Sequence, residues 1–155
     1  MEFARPANMD DVCFISDNMR PEDIEECNAF GVDHFDALRR SLEEAVISYT
    51  LIGPDNIPLA ICGISKSPYQ HLGLIWMLGT DGIRKHRFTF LRQNKKGFLD
   101  RLYAESGYEA LYNFTYAKNT LHHMWLRWLG FTFLRQVSLP PYDQQFYEFI
   151  RLREK

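Results

Sequence analysis

Apolar residues along the chain change their spacing several times, and those changes mark out the elements. Phe3 to Arg5 reads as a short first strand, broken by Pro6 and Asn8. Val12, Ile15 and Met19 then recur at helical spacing behind Asp10 and Asp11, either of which can cap a helix running to about Met19. Pro21 suits the first turn of a second helix, with Glu22, Asp23, Glu25 and Glu26 near its positive end and Gly31 as its stop. Asp33 can cap a third helix, on which Phe35, Leu38, Leu42 and Ala45 share a face. From Val46 the pattern becomes β-rich. Val46 to Ile52 and Ile57 to Ser65 flank the turn Gly53-Pro54-Asp55-Asn56 and read as a hairpin. His71 to Leu78 is a further long strand, turned by Gly79-Thr80-Asp81-Gly82. Arg84 to about Ser106 reads as one long helix, apolar at Phe88, Leu91, Phe98, Leu102 and Tyr103 and ended by Gly107. Glu109 to Tyr116 is a strand, and Asn119 to Leu129 a helix stopped by Gly130. Phe131 to Val137 and Phe146 to Leu152 are strands joined by the loop Pro140-Pro141-Tyr142-Asp143. This order predicts the α+β class: a mixed, mostly antiparallel sheet flanked by helices. The unit from His71 to Tyr116 requires a right-handed crossover.

Nothing repeats and no linker interrupts the pattern, so the 155 residues read as a single domain over 1–155. Aromatic residues make up 15% of the chain, which predicts a core filled by large rings. A formal net charge of -2 argues against nucleic acid as the main partner. Cys13, Cys27 and Cys62 are odd in number and lack metal-ligand spacing, so buried free thiols are expected. The longest apolar run, Leu74 to Leu78, is far short of the roughly 20 residues that a membrane span needs. With no signal-peptide pattern at Met1 to Pro6, the expected location is the cytoplasm. His122 and His123 point about 100° apart on their helix, so no shared metal is predicted. Trp125 and Trp128, three residues apart, are both expected in the core.

The segment Asn119 through Gly130-Phe131 resembles the penultimate helix of the GCN5-related N-acetyltransferase (GNAT) family, with Asn at the start and Gly-Phe at the exit. The element order resembles that family over nearly the whole chain. The resemblance implies a GNAT-like acyl-CoA N-acyltransferase fold. It also implies that acetyl-coenzyme A, if bound, lies between the strands His71 to Leu78 and Glu109 to Tyr116. Leu78, Gly79, Arg84, Lys85, Arg87 and Asn119 are the positions it implies for holding that cofactor.

The family's residues for chemistry are replaced here. The glycine-rich phosphate cradle reads Gly82-Ile83-Arg84-Lys85-His86-Arg87-Phe88-Thr89, in which side chains crowd a pyrophosphate. The position of the usual catalytic Tyr is Leu126, which cannot donate a proton; Tyr112, Tyr116 and His122 are the substitutes at hand. No Glu or Asp occurs from Ile57 to Leu78, where only His71 titrates near neutral pH. From Trp76 to the C-terminus the chain also resembles internal virion (core) proteins of short-tailed bacteriophages related to the T-odd coliphages. The shared features are Trp76 and Thr80-Asp81, then Arg84-Lys85-His86-Arg87-Phe88, Leu111 to Tyr116 and Asn119-Thr120. That resemblance implies a virion-associated or assembly accessory protein without acetyltransferase chemistry. It implies no cofactor, other virion proteins as partners, and a location in host cytoplasm and virion. The alternative is an acetyl-CoA-dependent N-acetyltransferase with a divergent pyrophosphate loop. Arg84, Lys85, His86, Arg87 and the loop residue Tyr142 are the partner-binding candidates. Cations at a helix start oppose the macrodipole, which makes the basic run, extended by Arg92, Lys95 and Lys96, a candidate binding surface.

Overall fold

The computed structural model describes residues 3–93 and 97–154, so Lys95 and Lys96 of the basic run lie outside it. Strands β1 (Ala4–Pro6), β2 (Ala45–Ile52), β3 (Pro58–Lys66), β4 (Leu72–Gly79), β5 (Ala110–Tyr116), β6 (Thr132–Leu139) and β7 (Gln144–Leu152) form one sheet. Their order is β1-β2-β3-β4-β5-β7-β6. The β4–β5 pair is parallel and the other pairs are antiparallel. The predicted α+β class is therefore the observed one.

Helices α1 (Met9–Asp17), α2 (Pro21–Ala29) and α3 (His34–Glu44) cover one face of the sheet. Val12, Ile15, Leu38 and Cys27 pack there against Ile61 and Leu78. On the other face lie α5 (Arg87–Gln93), α6 (Leu99–Ser106) and α7 (Thr120–Trp128), joined to β4 by the short α4 (Gly82–Lys85). Phe90, Leu102, Trp125 and Leu126 meet Leu51, Ile64, Leu111 and Phe149 in the larger core. From Leu59 to Ile64, β3 is buried at every position, because helices cover both sides of this central strand.

Several local expectations are corrected. Asn8, not Asp10 or Asp11, caps α1: its side chain accepts from Asp11 N–H at 2.9 Å, and Asp11 accepts from Asn8 N–H at 3.2 Å. The helix predicted from Arg84 to Ser106 is broken at His86, where φ is -106° and ψ 24°. Ile83, Phe90, Leu99 and Tyr103 are all buried. On one unbroken helix at about 100° per residue they would point around more than half of its circumference. Breaking the helix lets each of them reach the sheet. Arg84 and Lys85 consequently fall in the last turn of α4, where the helix dipole favours cations and does not oppose them. Trp125 is 3% exposed but Trp128 is 57% exposed, so the pair is split between core and surface. Cys27 and Cys62 are buried, whereas Cys13 is exposed. Gly130 leaves α7 at φ 90°, as its reading as a helix stop requires.

Asp11 ties β1, α1 and β2 together. Its carboxylate takes two bonds from Arg5, at 2.6 and 2.7 Å, and one from Thr50 Oγ1 at 2.7 Å. Burial works to raise its pKa, but the bonds from Arg5, Thr50 and Asn8 outweigh it and hold the carboxyl below its usual range. A depressed folded-state pKa gives stability that is present above the unfolded value and lost as the pH falls through the folded one. Asp11→Asn is therefore expected to cost roughly 1.5–3 kcal/mol at pH 7 in urea unfolding. The gap from the unmodified chain should narrow as the pH falls below the ordinary 3.8. A gap that stays constant down to pH ~2.5 would contradict this role for the ionised carboxylate.

Candidate functional site between strands β4 and β5

Strands β4 and β5 pair only at Leu72–Ala110, Gly73–Leu111 and Leu74–Tyr112, and then part. Separation frees the facing backbone groups of both strands, and buried groups of this kind need partners. Side chains supply them. Asn113 Nδ2 donates to Ile75 O at 2.8 Å, and Asn113 Oδ1 accepts from Phe114 N–H at 2.8 Å. At the open end, Gly79 N–H donates to Asp23 Oδ2 at 2.9 Å, and Arg20 N–H donates to Gly79 O at 2.8 Å. On the opposite strand, Tyr116 N–H donates to Glu26 Oε1 at 2.6 Å. By strand alternation the backbone N–H and C=O of Met77 face the same gap as those of Ile75 and Gly79.

Asp23 and Glu26 stand one helical turn apart on α2, so a single helix bridges the two parted strands. Asn119, predicted as a helix cap, makes no capping bond from its side chain. Its Nδ2 donates to Asp23 Oδ1 at 3.1 Å and its Oδ1 accepts from Arg20 Nη2 at 2.8 Å. The Arg20 side chain is buried, with its guanidinium carbon 5.6 Å from the centre of the Trp125 ring. Glu22 completes the chain of charges, 3.5 Å from Arg20 and 3.5 Å from Arg84.

A cavity of about 200 Å³ lies between the parted strands, with walls from both faces of the sheet. Trp76, Met77, Phe114 and Trp125 make it largely apolar; Glu26 and His122 are ionisable groups in its wall. Burial, followed by the charge of Asp23, pushes the Glu26 carboxyl up to about 7, against the pull of Tyr116 N–H, Thr115 and Arg20. Asp23 is also raised, by burial above all, with Arg20 opposing. His122 is half-buried and lines the cavity. Burial, then Arg20 and His123, push its pKa down to about 3. The imidazole is therefore neutral at physiological pH, while the carboxyl is poised to exchange a proton.

The structure brings some predicted residues together and separates others. Leu78 lines the cavity, and Gly79, Asn119 and Arg84 are linked through Asp23, Arg20 and Glu22 at its open end. Lys85 and Arg87 are exposed, with the Arg87 guanidinium 4.8 Å from the Phe88 ring centre, and His86 is partly buried. Tyr142 is exposed at the β6–β7 turn, on a different element from the basic run. Of the three substitutes for a catalytic Tyr, only His122 lines the cavity. Tyr112 is bonded to Glu148 and pushed up to about 12, by burial first and then by that bond. The Tyr116 hydroxyl donates to Gln144. His71 lies at the closed end of the gap, where its carbonyl accepts from Glu109 N–H at 3.0 Å. His123 is a structural residue, its Nε2 2.8 Å from Tyr116 O. Among the described residues no cluster of His, Cys, Asp or Glu can hold a metal. No described helix is long and apolar enough to cross a membrane. Arg20, Asp23, Glu26 and Thr115 escaped sequence reasoning. The usable signal was that Asp23, Glu26 and Cys27 lie on one side of α2, which places carboxylates on a buried face.

A raised carboxyl pKa gives stability that is present below the unfolded value and lost as the pH rises through the folded one. Unfolding free energy is thus expected to fall between pH ~5 and ~8, by up to roughly 3 kcal/mol from Glu26. Glu26→Gln should flatten that slope in urea titrations at stepped pH. An unchanged slope would place the Glu26 carboxyl in its ordinary range.

No protein-family model matches the chain, and no curated protein matches it. Solved structures do. Spermidine N-acetyltransferase from Vibrio cholerae, in complex with CoA and spermine, superposes with a TM-score of 0.71 at 13% identity, covering 96% of this chain and 94% of that one. A GNAT-family acetyltransferase from Bacillus anthracis gives a TM-score of 0.68 at 13% identity, over 96% of this chain and 93% of that one. The expectation of a non-catalytic virion accessory protein is corrected by this finding: solved structures that share the architecture include spermidine N-acetyltransferase and another GNAT-family acetyltransferase. The chain has the GNAT acetyltransferase fold.

Proposed function

We propose that this protein is an acetyl-CoA-dependent N-acetyltransferase whose phosphate-holding surface diverges from a glycine cradle. The observation that carries this reading is the cavity between the parted strands, with Glu26 in its wall. The cofactor, when bound, supplies an acetyl group activated as a thioester. An apolar enclosure suits that group and excludes water that would hydrolyse it.

The residues present fit such a cofactor in a particular way. A backbone cradle at Gly82 is not available, because Gly82 N–H donates to Thr80 Oγ1 at 3.2 Å, Ile83 N–H to Thr80 O at 3.2 Å and Arg84 N–H to Asp81 O at 3.1 Å, and a Cβ at Gly82 would lie 2.8 Å from Leu59 Cδ2. Its missing side chain serves packing against β3. Side-chain cations take the role of backbone amides: Arg84, Lys85 and Arg87 stand exposed just beyond β4. The Lys85 side chain makes no hydrogen bond or ion pair with any described residue. Beside them, a groove of about 620 Å³ between α5 and α7 is bordered by Arg87, Arg92, Phe88, Met124 and Trp128. Phe88 and Trp128 are 68% and 57% exposed, and flat apolar rings flanked by guanidinium groups suit a phosphorylated nucleotide. Met77 offers backbone groups to a linear amide chain lying in the gap. The Glu26 carboxyl, pushed up to about 7, can take up and release a proton near neutral pH, as a final acceptor for the proton lost by an acylated amine must.

Isothermal titration of the purified chain with acetyl-CoA tests the reading. Binding is expected with a Kd on the order of micromolar, weakened about 10–100-fold by Arg84→Glu with Arg87→Glu, as loss of charge-assisted bonds implies. No detectable binding by the unmodified chain would overturn it.

A further inference from the structure

Three elements, α2, β5 and α7, converge on one hydroxyl. Thr115, on β5, is fully buried. Its Oγ1 lies 3.3 Å from Glu26 Oε1 on α2 and 3.2 Å from His122 Nδ1 on α7. Glu26 and His122 both line the cavity. Thr115 has one hydroxyl proton, so it donates to one neighbour and accepts from the other. Glu26 Oε1 already accepts from Tyr116 N–H at 2.6 Å, so it is the accepting oxygen of the carboxyl whether or not Oε2 carries a proton, which makes Thr115 its donor and His122 Nδ1–H the donor to Thr115. His122 is thereby held in the tautomer whose Nε2 carries a free lone pair.

We propose that His122, Thr115 and Glu26 form a proton-transfer chain in which His122 Nε2 is the base that meets the acceptor amine and Glu26 is where the proton comes to rest. This rests on the acetyltransferase reading. In the reaction, the amine nitrogen bonds to the acetyl carbonyl carbon as the carbon–sulfur bond breaks. The amine proton passes to His122 Nε2, the Nδ1 proton to Thr115 Oγ1, and the Thr115 hydroxyl proton to Glu26. His122 remains neutral throughout and ends in its other tautomer. The leaving sulfur takes a proton from water, and the relay then runs back, from Glu26 to Thr115, from Thr115 to Nδ1 and from Nε2 to the hydroxide so formed, which restores the starting tautomer.

The division of labour follows from the surroundings. Burial, Arg20 and His123 work against an imidazolium at His122, so the ring relays a proton without storing it. Burial and Asp23 favour a protonated Glu26, opposed by Tyr116 N–H, Thr115 and Arg20. A merely structural histidine has its counterpart next door in His123, which is tied to Tyr116 O and packed edge-on against Phe133 and Tyr147. His122 has no such ring packing among the described residues.

Nitrogen-15 NMR of labelled histidines in the intact chain, without cofactor, tests the chain directly. His122 is expected to stay neutral from pH ~6 to ~8 with the proton on Nδ1, and to shift toward the Nε2–H tautomer in Thr115→Val but not in Thr115→Ser. A charged His122 in that range, or a tautomer indifferent to Thr115→Val, would overturn the proposal. Turnover with acetyl-CoA and spermine as the probe amine gives a second readout. Thr115→Val should lower kcat at least about tenfold and leave acetyl-CoA affinity unchanged, with Thr115→Ser recovering most of the rate. Full turnover in a folded Thr115→Val that still binds acetyl-CoA sinks the chain alone. Absence of acetyl-CoA binding by the unmodified protein sinks the enzymatic reading, and with it the catalytic use of the chain.

Discussion

The parting of β4 and β5 is the constraint on which the rest of the structure depends. Two parallel strands that separate inside a sheet leave N–H and C=O groups facing each other across a space that is neither water nor ladder. In this chain the debt is met at one end by Asn113 and at the other by the carboxylates of Asp23 and Glu26. Helix α2 is consequently fixed across the opening, and the segment before it is fixed too, through Arg20 N–H to Gly79 O. The cavity survives between these two sets of side-chain bonds.

Satisfying backbone amides with carboxylates has an electrostatic consequence. Two buried acids one turn apart face one buried guanidinium, so full ionisation would leave an uncompensated negative charge in a poorly solvated place. Both carboxyls relieve this by holding their protons more tightly, burial being the main cause, while the Arg20 charge and bonds from Gly79 and Asn119 oppose the rise at Asp23. The same arrangement that closes the sheet thus leaves an acid–base group in the cavity wall. A structural requirement and a chemical capability come from one pair of residues.

Local sequence carried the element order well, because turn chemistry and apolar period are local properties. The Gly53–Asn56 turn, the Gly130 exit and the helical period of α7 all appear where the residues place them. What stayed hidden depends on distant partners. Asn119 has the sequence look of a cap, yet its bonds go to Arg20 and Asp23, nearly 100 residues away. The acids of α2 look like ordinary companions of a helix dipole, and only the strands far along the chain reveal which two are buried. The break at His86 was invisible because its neighbours Arg84, Lys85 and Arg87 are good helix formers and a single His is too weak a breaker to end a helix. The expectation of lost chemistry weighed only the family's positions at Leu126 and along β3 and β4, whereas Glu26, Thr115 and His122 are brought together by α2, β5 and α7.

Hydrogen exchange with and without acetyl-CoA tests the central claim most directly, since it reports where the cofactor acts. The account predicts slower amide exchange confined to residues 75–79 of β4, the start of α4, and α7, with β1, β2 and α3 unchanged. Slowing elsewhere with none at the parted strands would contradict the assignment of this gap as the acyl-donor site.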